Sequence, residues 1–357
     1  NMSGVILADS AVQEGGRIVL SAKGGGVEVG GSLSARGTTG GLIEVLGDRV
    51  RLLSTARLDA GGLYGGGVLH VGGAYQGSGD TYRAQGTFID PGALLQAGAD
   101  LLGGGGEVVV WSDGETWYGG TILARGGSAW GDGGLVEVSG KGKLFFNGLV
   151  DAGAPNGRAG SLLLDPYNFT IGMAEAGLIS RVLRTGTSTS VSADNNIDVN
   201  YVIDGRGRYA GGGLTLLAGN TINVNDYIIT NNGAINLLAG TGTVNVAGGK
   251  VVWAGTAPIT VRSGGNLYNA PFVTGGLLSL VSTGGSVFIN QGVEPTIGNL
   301  LIQAAHDVDV NEPIVSLRDG NSVAISAGNN ANVNAQIDGR PAEGLDPVGA
   351  VTVTAGQ

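Results

Sequence analysis

Along the first half of the chain, short runs of alternating apolar and polar residues recur between glycines. Gly40-Gly41-Leu42-Ile43-Glu44-Val45 returns as Gly66-Gly67-Val68-Leu69-His70-Val71, Gly105-Gly106-Glu107-Val108-Val109-Val110 and Gly133-Gly134-Leu135-Val136-Glu137-Val138. Gly25-Gly26-Val27-Glu28-Val29 reads as an earlier copy, and Gly160-Ser161-Leu162-Leu163-Leu164 as a looser later one. A second column runs between these blocks: Leu33-Ser34-Ala35, Leu58-Asp59-Ala60, Leu95-Gln96-Ala97, Ile122-Leu123-Ala124 and Val150-Asp151-Ala152. The two columns keep step, as one repeated unit requires, except where 76–104 reads as an insertion.

The second half carries a tighter unit. Ile197-Asp198-Val199-Asn200 matches Ile222-Asn223-Val224-Asn225, Val244-Asn245-Val246-Ala247, Val287-Phe288-Ile289-Asn290, Val308-Asp309-Val310-Asn311 and Ala331-Asn332-Val333-Asn334. Leu267 is assigned to the third position of the missing copy. Alternation at period two means a strand with one buried and one wet face, and breaks at Gly, Asn or Asp after a few residues mean turns. Repeats of roughly 20–28 residues made of such strands point to a solenoid. A leucine-rich repeat needs a helical turn and a Leu/Asn consensus in each unit, and neither is present. The expectation is an all-β, right-handed parallel β-helix whose coils stack about 4.8 Å apart.

The pattern divides the chain into a β-helical section over 1–172, a junction over 173–195 and a section of shorter, Asn-rich coils over 196–357, together one rod. In the junction, apolar residues at Leu178, Ile179, Val182 and Leu183 have helical spacing, which predicts a short helix over 174–184. Asn200, Asn225, Asn290, Asn311 and Asn334 share one register position. Stacked at a corner, they predict a side-chain ladder along the column, with left-handed backbone tolerated there.

Glycine, 71 of 357 residues, suits the corners, and an aromatic content of only 5% suits a narrow interior built from Val, Leu, Ile and Ala. A net charge of −10 argues against a nucleic-acid partner, which needs a basic face. The absence of cysteine excludes disulfides, thiolate metal sites and cysteine nucleophiles. No apolar run has the length of a membrane helix. Asn1-Met2-Ser3 at one end, and Thr352 to Gln357 stopping inside a strand unit at the other, read as the interior of a longer chain.

At Gly133 to Lys141, Gly148 to Gly160, and the run Leu163-Leu164-Asp165-Pro166-Tyr167-Asn168, the sequence resembles the filamentous-haemagglutinin-like exoproteins of bacterial two-partner secretion. Val108-Val109-Val110-Trp111-Ser112-Asp113-Gly114 is similar to them too. The resemblance covers about 40–171 strongly and the later repeats more generally. It implies a β-helical segment of a large adhesin, secreted or held at the surface of a Gram-negative bacterium. Such a chain passes unfolded through an outer-membrane pore and serves adhesion, aggregation or biofilm. Its partners at the surface would be a host or bacterial glycan or protein, or further copies of itself. The family's Asn-Pro-containing secretion motifs are not among these residues, so none is carried over. A stalk for a toxin or a haem-acquiring tip fits the same resemblance.

Parallel β-helices also include polysaccharide lyases and hydrolases, whose sites need carboxylates and basic groups aligned on neighbouring coils. His306-Asp307-Val308-Asp309 is the best local cluster; Asp307 and Asp309 share an outward face, and a structural role is expected. His70 and His306 lie many repeats apart, so no shared metal or dyad is expected, and no catalytic residue or cofactor is assigned. Asp204-Gly205-Arg206 and Asp338-Gly339-Arg340 read as turns, and the sequon Asn168-Phe169-Thr170 as turn or strand. Trp111, Trp117, Tyr118 and Trp130 are the candidate contacts for a sugar or protein partner, with Tyr82 and Arg83 of the insertion beside them.

Overall fold

The computed structural model describes residues 4–7, 16–268, 271–291, 293–295, 298–315, 321–338 and 350–356. Asn1 to Ser3, Gly339, Arg340 and Gln357 lie outside the described residues. The fold is an all-parallel β-solenoid, a parallel β-helix, with one short α-helix among the described residues. It forms two compact units. The first comprises Asn1–Tyr167 with Arg181–Ser192, and the second Asn168–Ser180 with Ala193–Gln357.

In the first unit, the strands Ser32–Ser34, Arg57–Asp59, Leu94–Gln96, Thr121–Leu123 and Leu149–Asp151 stack in parallel, with Leu33, Leu58, Leu95, Ile122 and Val150 in one row. Opposite them, Ile43, Leu69, Val108, Val136 and Leu162 form a second row, and Val45, Val71, Val110, Val138 and Leu164 a third. All of these are buried, as are Ala35, Ala60, Ala97, Ala124 and Ala152. Each Val, Leu or Ile so placed contributes about 1.5–3 kcal/mol.

The two sequence columns keep step because the backbone ties them together. The second glycine of each pair donates its N–H to the alanine carbonyl of the Leu-x-Ala column in the same coil. The bonds run from Gly41 to Ala35, Gly67 to Ala60, Gly106 to Ala97 and Gly134 to Ala124, and the single Gly160 of the looser copy reaches Ala152 in the same way, all at 2.6–2.8 Å. The first glycine sits against the backbone of the next coil. A Cβ on Gly40, Gly66, Gly105 or Gly133 would land on the carbonyl of Ala60, Ala97, Ala124 or Ala152 respectively. Glycine is required here by close approach between backbones.

The first coil departs from the sequence reading. Gly26 to Val29 pairs with Arg49 to Leu52, and it is Arg17-Ile18-Val19-Leu20 that pairs with Leu42 to Val45. A register shift between Ala22 and Gly26, with Gly24 at φ +75°, lets the strand Arg17–Val29 cover both halves of Leu42–Leu52.

In the second unit one column holds Phe169–Ile171, Ile197–Val199, Ile222–Val224, Val244–Val246, Leu267–Tyr268, Val287–Ile289, Val308–Val310 and Ala331–Val333. Leu267 pairs with Val244 and Val287, so it takes the first apolar slot of its unit and not the third. A second column stacks Leu214–Ala218, Ile235–Ala239, Ile259–Ser263, Leu278–Ser282, Leu300–Ala304 and Val323–Ala327, whose alternate residues are buried.

At the corner, Asn225 Nδ2 donates to Asn200 Oδ1 at 2.8 Å, Asn311 to Asn290 at 2.9 Å and Asn334 to Asn311 at 2.9 Å. None of these five has positive φ; among the described non-glycine residues that conformation falls to Gln76 and Asn232. A second ladder runs up the polar position inside the strands, where Asn223 donates to Asp198 and Asn245 to Asn223.

The helix is Met173–Arg184. Its start is fixed reciprocally: Ala176 N–H donates to the Gly172 carbonyl, and Gly172 N–H to Glu175 Oε2. It stops at Thr185-Gly186, where Gly186 takes φ +87°. Ala176, Ile179, Val182 and Leu183 are buried, while Leu178 is half-buried.

Two substitutions test this packing. Gly105→Ala is expected to lower unfolding free energy by about 2–3 kcal/mol through backbone crowding, read by chemical denaturation. Asn311→Ala removes two ladder bonds at an exposed corner, and a loss near 1 kcal/mol is expected in the same assay.

Candidate functional site

The first unit has one sheet whose outer face is not plain. The strand Leu42–Leu52 pairs with two strands of the next coil, Val68–Val71 and Gly86–Ile89. Residues 72–85 leave between those strands and return. The insertion is therefore narrower than 76–104: Gly86–Ile89 and Leu94–Gln96 hold ordinary register with their neighbours. The loop lies on the indole of Trp111, so close that a Cβ on Gly73 or Gly77 would meet the ring. Asp113 ties the two together, accepting from Trp111 Nε1 and from Arg83 Nε, both at 3.1 Å. Arg83 Nη1 also reaches the Gly77 carbonyl at 3.1 Å. Tyr82 donates its hydroxyl to Asp48 and accepts from Gly24 N–H.

Tyr82 and Arg83 thus fasten the loop to the sheet. Trp111 is 2% exposed and Tyr118 1% exposed, so neither is open to a ligand. Their side chains fill structural positions because the loop needs a buried ring beneath it, and because Tyr118 stacks on Phe146 and bonds the Leu149 carbonyl at 2.6 Å. Burial raises the Tyr118 phenol well above its ordinary pKa. Trp117 and Trp130 remain exposed, at 44% and 64%.

A column of outward positions runs Glu44, His70, Val109, Glu137 and Leu163 on successive coils. His70 Nε2 lies 2.7 Å from Glu107 Oε1, and its Nδ1, buried without a hydrogen-bond partner, lies 3.8 Å from Glu44 Oε1. Arg17 holds the other oxygen of Glu44 at 2.9 Å. Basic group, carboxylate, imidazole and carboxylate therefore sit on four adjacent coils. The arrangement can pass a proton between His70 and Glu107.

Glu137 has no solvent exposure. The Gln76 N–H donates to its Oε2 and the Ser139 hydroxyl to its Oε1, each at 2.7 Å. Burial outweighs these bonds and pushes its pKa up to about 7. Tyr75 is also raised, first by burial and then by the charges of Glu137, Glu107 and Asp165.

Further along the same face, Arg51, Phe88, Trp117 and Phe145 are register partners on successive coils. Trp117 stacks on Phe145 with centroids 3.6 Å apart, and Lys143 Nζ lies 4.4 Å from the Phe145 centroid. Arg51 grips Asp90 through both carboxylate oxygens. Two grooves open here. One, of about 550 Å³, is lined by Glu28, Arg49, Arg51, Phe88 and Asp90. The other, of about 260 Å³, is lined by Phe88, Asp90, Pro91, Trp117, Phe145 and Asn147. Rings beside charged hydrogen-bonding groups suit a sugar, whose faces are apolar and whose rim is polar.

Sequence reasoning assigns no role to Glu44 or Glu137 and weighs His70 only against His306, although the repeated block already puts all three in one column. It leaves out Phe145, and the row that Phe145 forms with Trp117 and Phe88 is visible only once the loop is cut at 72–85. Asp307 and Asp309 accept from Asn330 and Asn332 of the next coil, and Asn168 accepts from Asn195, so all three are ladder members. His306 lies in a different unit from His70. No helix among the described residues is long and apolar enough to cross a membrane. No protein-family model matches the sequence, and no curated protein matches it.

Glu137 makes stability depend on pH. Its pKa is raised from 4.5 to about 7, so the folded state binds more protons than the unfolded chain between those values. The resulting stabilisation is present in full below about pH 4.5 and is lost as pH rises through 7, a difference of about 3 kcal/mol. Denaturation at several pH values should show this slope in the native chain and its loss in Glu137→Gln.

Proposed function

We propose that the chain is an adhesive segment of a large exported β-helical protein, acting at the bacterial surface or outside the cell, as its resemblance to the filamentous-haemagglutinin-like exoproteins implies. The observation that carries the reading is the open row of Arg51, Phe88, Trp117 and Phe145, with its two grooves, set on a rigid stack of strands. Strands fix the spacing of such side chains better than loops do, and a preorganised surface loses little entropy on binding. The ligand that fits is a glycan, held by ring stacking and by the Arg and Asp side chains at the rim. On this reading export runs through an outer-membrane pore, and the chain needs neither cofactor nor catalytic group.

A second reading, a polysaccharide-active enzyme, is favoured by Arg17, Glu44, His70 and Glu107 on adjacent coils. One experiment separates the two. Immobilised protein is passed over bacterial and host surface polysaccharides, with product release followed in parallel. Adhesion predicts retention without turnover, and Trp117→Ala weakens it about tenfold, the equivalent of ~1.4 kcal/mol, with an unchanged melting temperature. Turnover that His70→Ala abolishes would establish the enzyme instead. No retention of any glycan would sink the adhesive reading.

A further inference from the structure

Arginines in the coils ahead of the helix are engaged, with one exception. Arg17, Arg36, Arg51, Arg83, Arg125 and Arg158 each hold a carboxylate. Arg57 donates to the carbonyls of Ser54, Ala56 and Gly92. The Arg49 side chain is exposed and has no hydrogen-bond or ion-pair partner among the described residues. It lines the larger of the two grooves. Its register partners one coil before and one coil after are Gly26 and Gly86, so no side chain rises beside it in its column. Phe88 leans over that space, since a Cβ on Gly86 would lie 3.1 Å from Phe88 Cε2. On the other side of the groove Arg51 is bound to Asp90, and Glu28 is the register partner of Arg51. Two arginines and two carboxylates therefore line one cleft, and their charges cancel.

Resting on the glycan reading above, we propose that this groove selects a sugar that carries one carboxylate and free hydroxyls, a hexuronic acid unit, and that Arg49 makes the selection. The sugar carboxylate accepts two N–H groups from the Arg49 fork, a planar match that a lysine does not offer. An apolar face of the sugar lies on Phe88. Its hydroxyls donate to Glu28 and Asp90, which when ionised only accept. Each partner class is sorted by what it leaves unpaired. A neutral sugar leaves the Arg49 fork empty. A densely sulfated sugar has lost the hydroxyls and sets like charge against Glu28 and Asp90. A cleft whose own charges cancel takes one anionic group, not a crowd of them.

Polygalacturonate and its fully methyl-esterified form share a backbone and differ in charge, so retention of the full chain on the two immobilised polymers tests this directly. The acid is expected to hold the chain about tenfold more tightly than the ester. Dextran sulfate is expected to hold it no better than the ester does. Arg49→Gln, with a native melting temperature, is expected to bring the ratio of acid to ester to about one, and Arg49→Lys to keep part of the preference. Equal retention of acid and ester, a preference that survives Arg49→Gln, strongest retention on dextran sulfate, or retention confined to neutral glycans overturns the proposal. Any of these results leaves the adhesive reading standing wherever Trp117→Ala still weakens retention. Retention on no glycan sinks both.

Discussion

Register between neighbouring coils is the constraint on which the rest depends. A strand in this fold finds partners for its N–H and C=O groups only one coil before and one coil after. A slip by one residue would turn Ile43 or Val108 outward and Glu44 or Val109 inward. Each residue type is therefore chosen against its counterpart a coil away. Leucine lies on leucine in the row through Leu58 and Leu95, and valine on valine in the row through Val71 and Val110. Where two backbones nearly touch, only glycine is accepted.

The same rule organises the outside. Because coils repeat at a short fixed spacing, outward side chains meet their own kind or their complement. Asparagines pass hydrogen bonds up a column, and Arg51 with Asp90, Arg36 with Asp59 and Lys250 with Asp226 pair across coils. Exposed pairs of this sort contribute little individually. They satisfy the wet face without disturbing the stack. The loop 72–85 is the exception, since it turns part of an outer face into a second, small interior around Trp111 and Glu137.

Much of the architecture was legible because alternation and repeat length act on the backbone, which every coil shares. The Gly-Gly blocks from Gly40 onward, the Leu-x-Ala column and the asparagine positions take their place in the ladder. The misreadings have one cause. Leu267 was placed by counting and not by pairing, and Gly25-Gly26 looks like Gly40-Gly41 although a bulge at Gly24 puts it elsewhere. The site was less legible still. Trp111 and Trp117 have the same local pattern, an aromatic at an outward strand position, yet one is roofed by a loop and the other is open. That difference lies in how 72–85 folds back, which no periodicity encodes. Glu137 likewise reads as an ordinary wet position until its cover is seen.

The bond from each second glycine to an alanine carbonyl stays within a single winding, while the strand pairings reach only to the next one. Nothing in the aliphatic rows of the first unit asks for a particular total number of windings. A gene segment encoding one whole winding could be duplicated or lost, and the flanking interiors would meet with the same shapes as before. Change in length by such quanta costs the fold little, whereas insertion of a few residues within a winding must be looped out, as at 72–85.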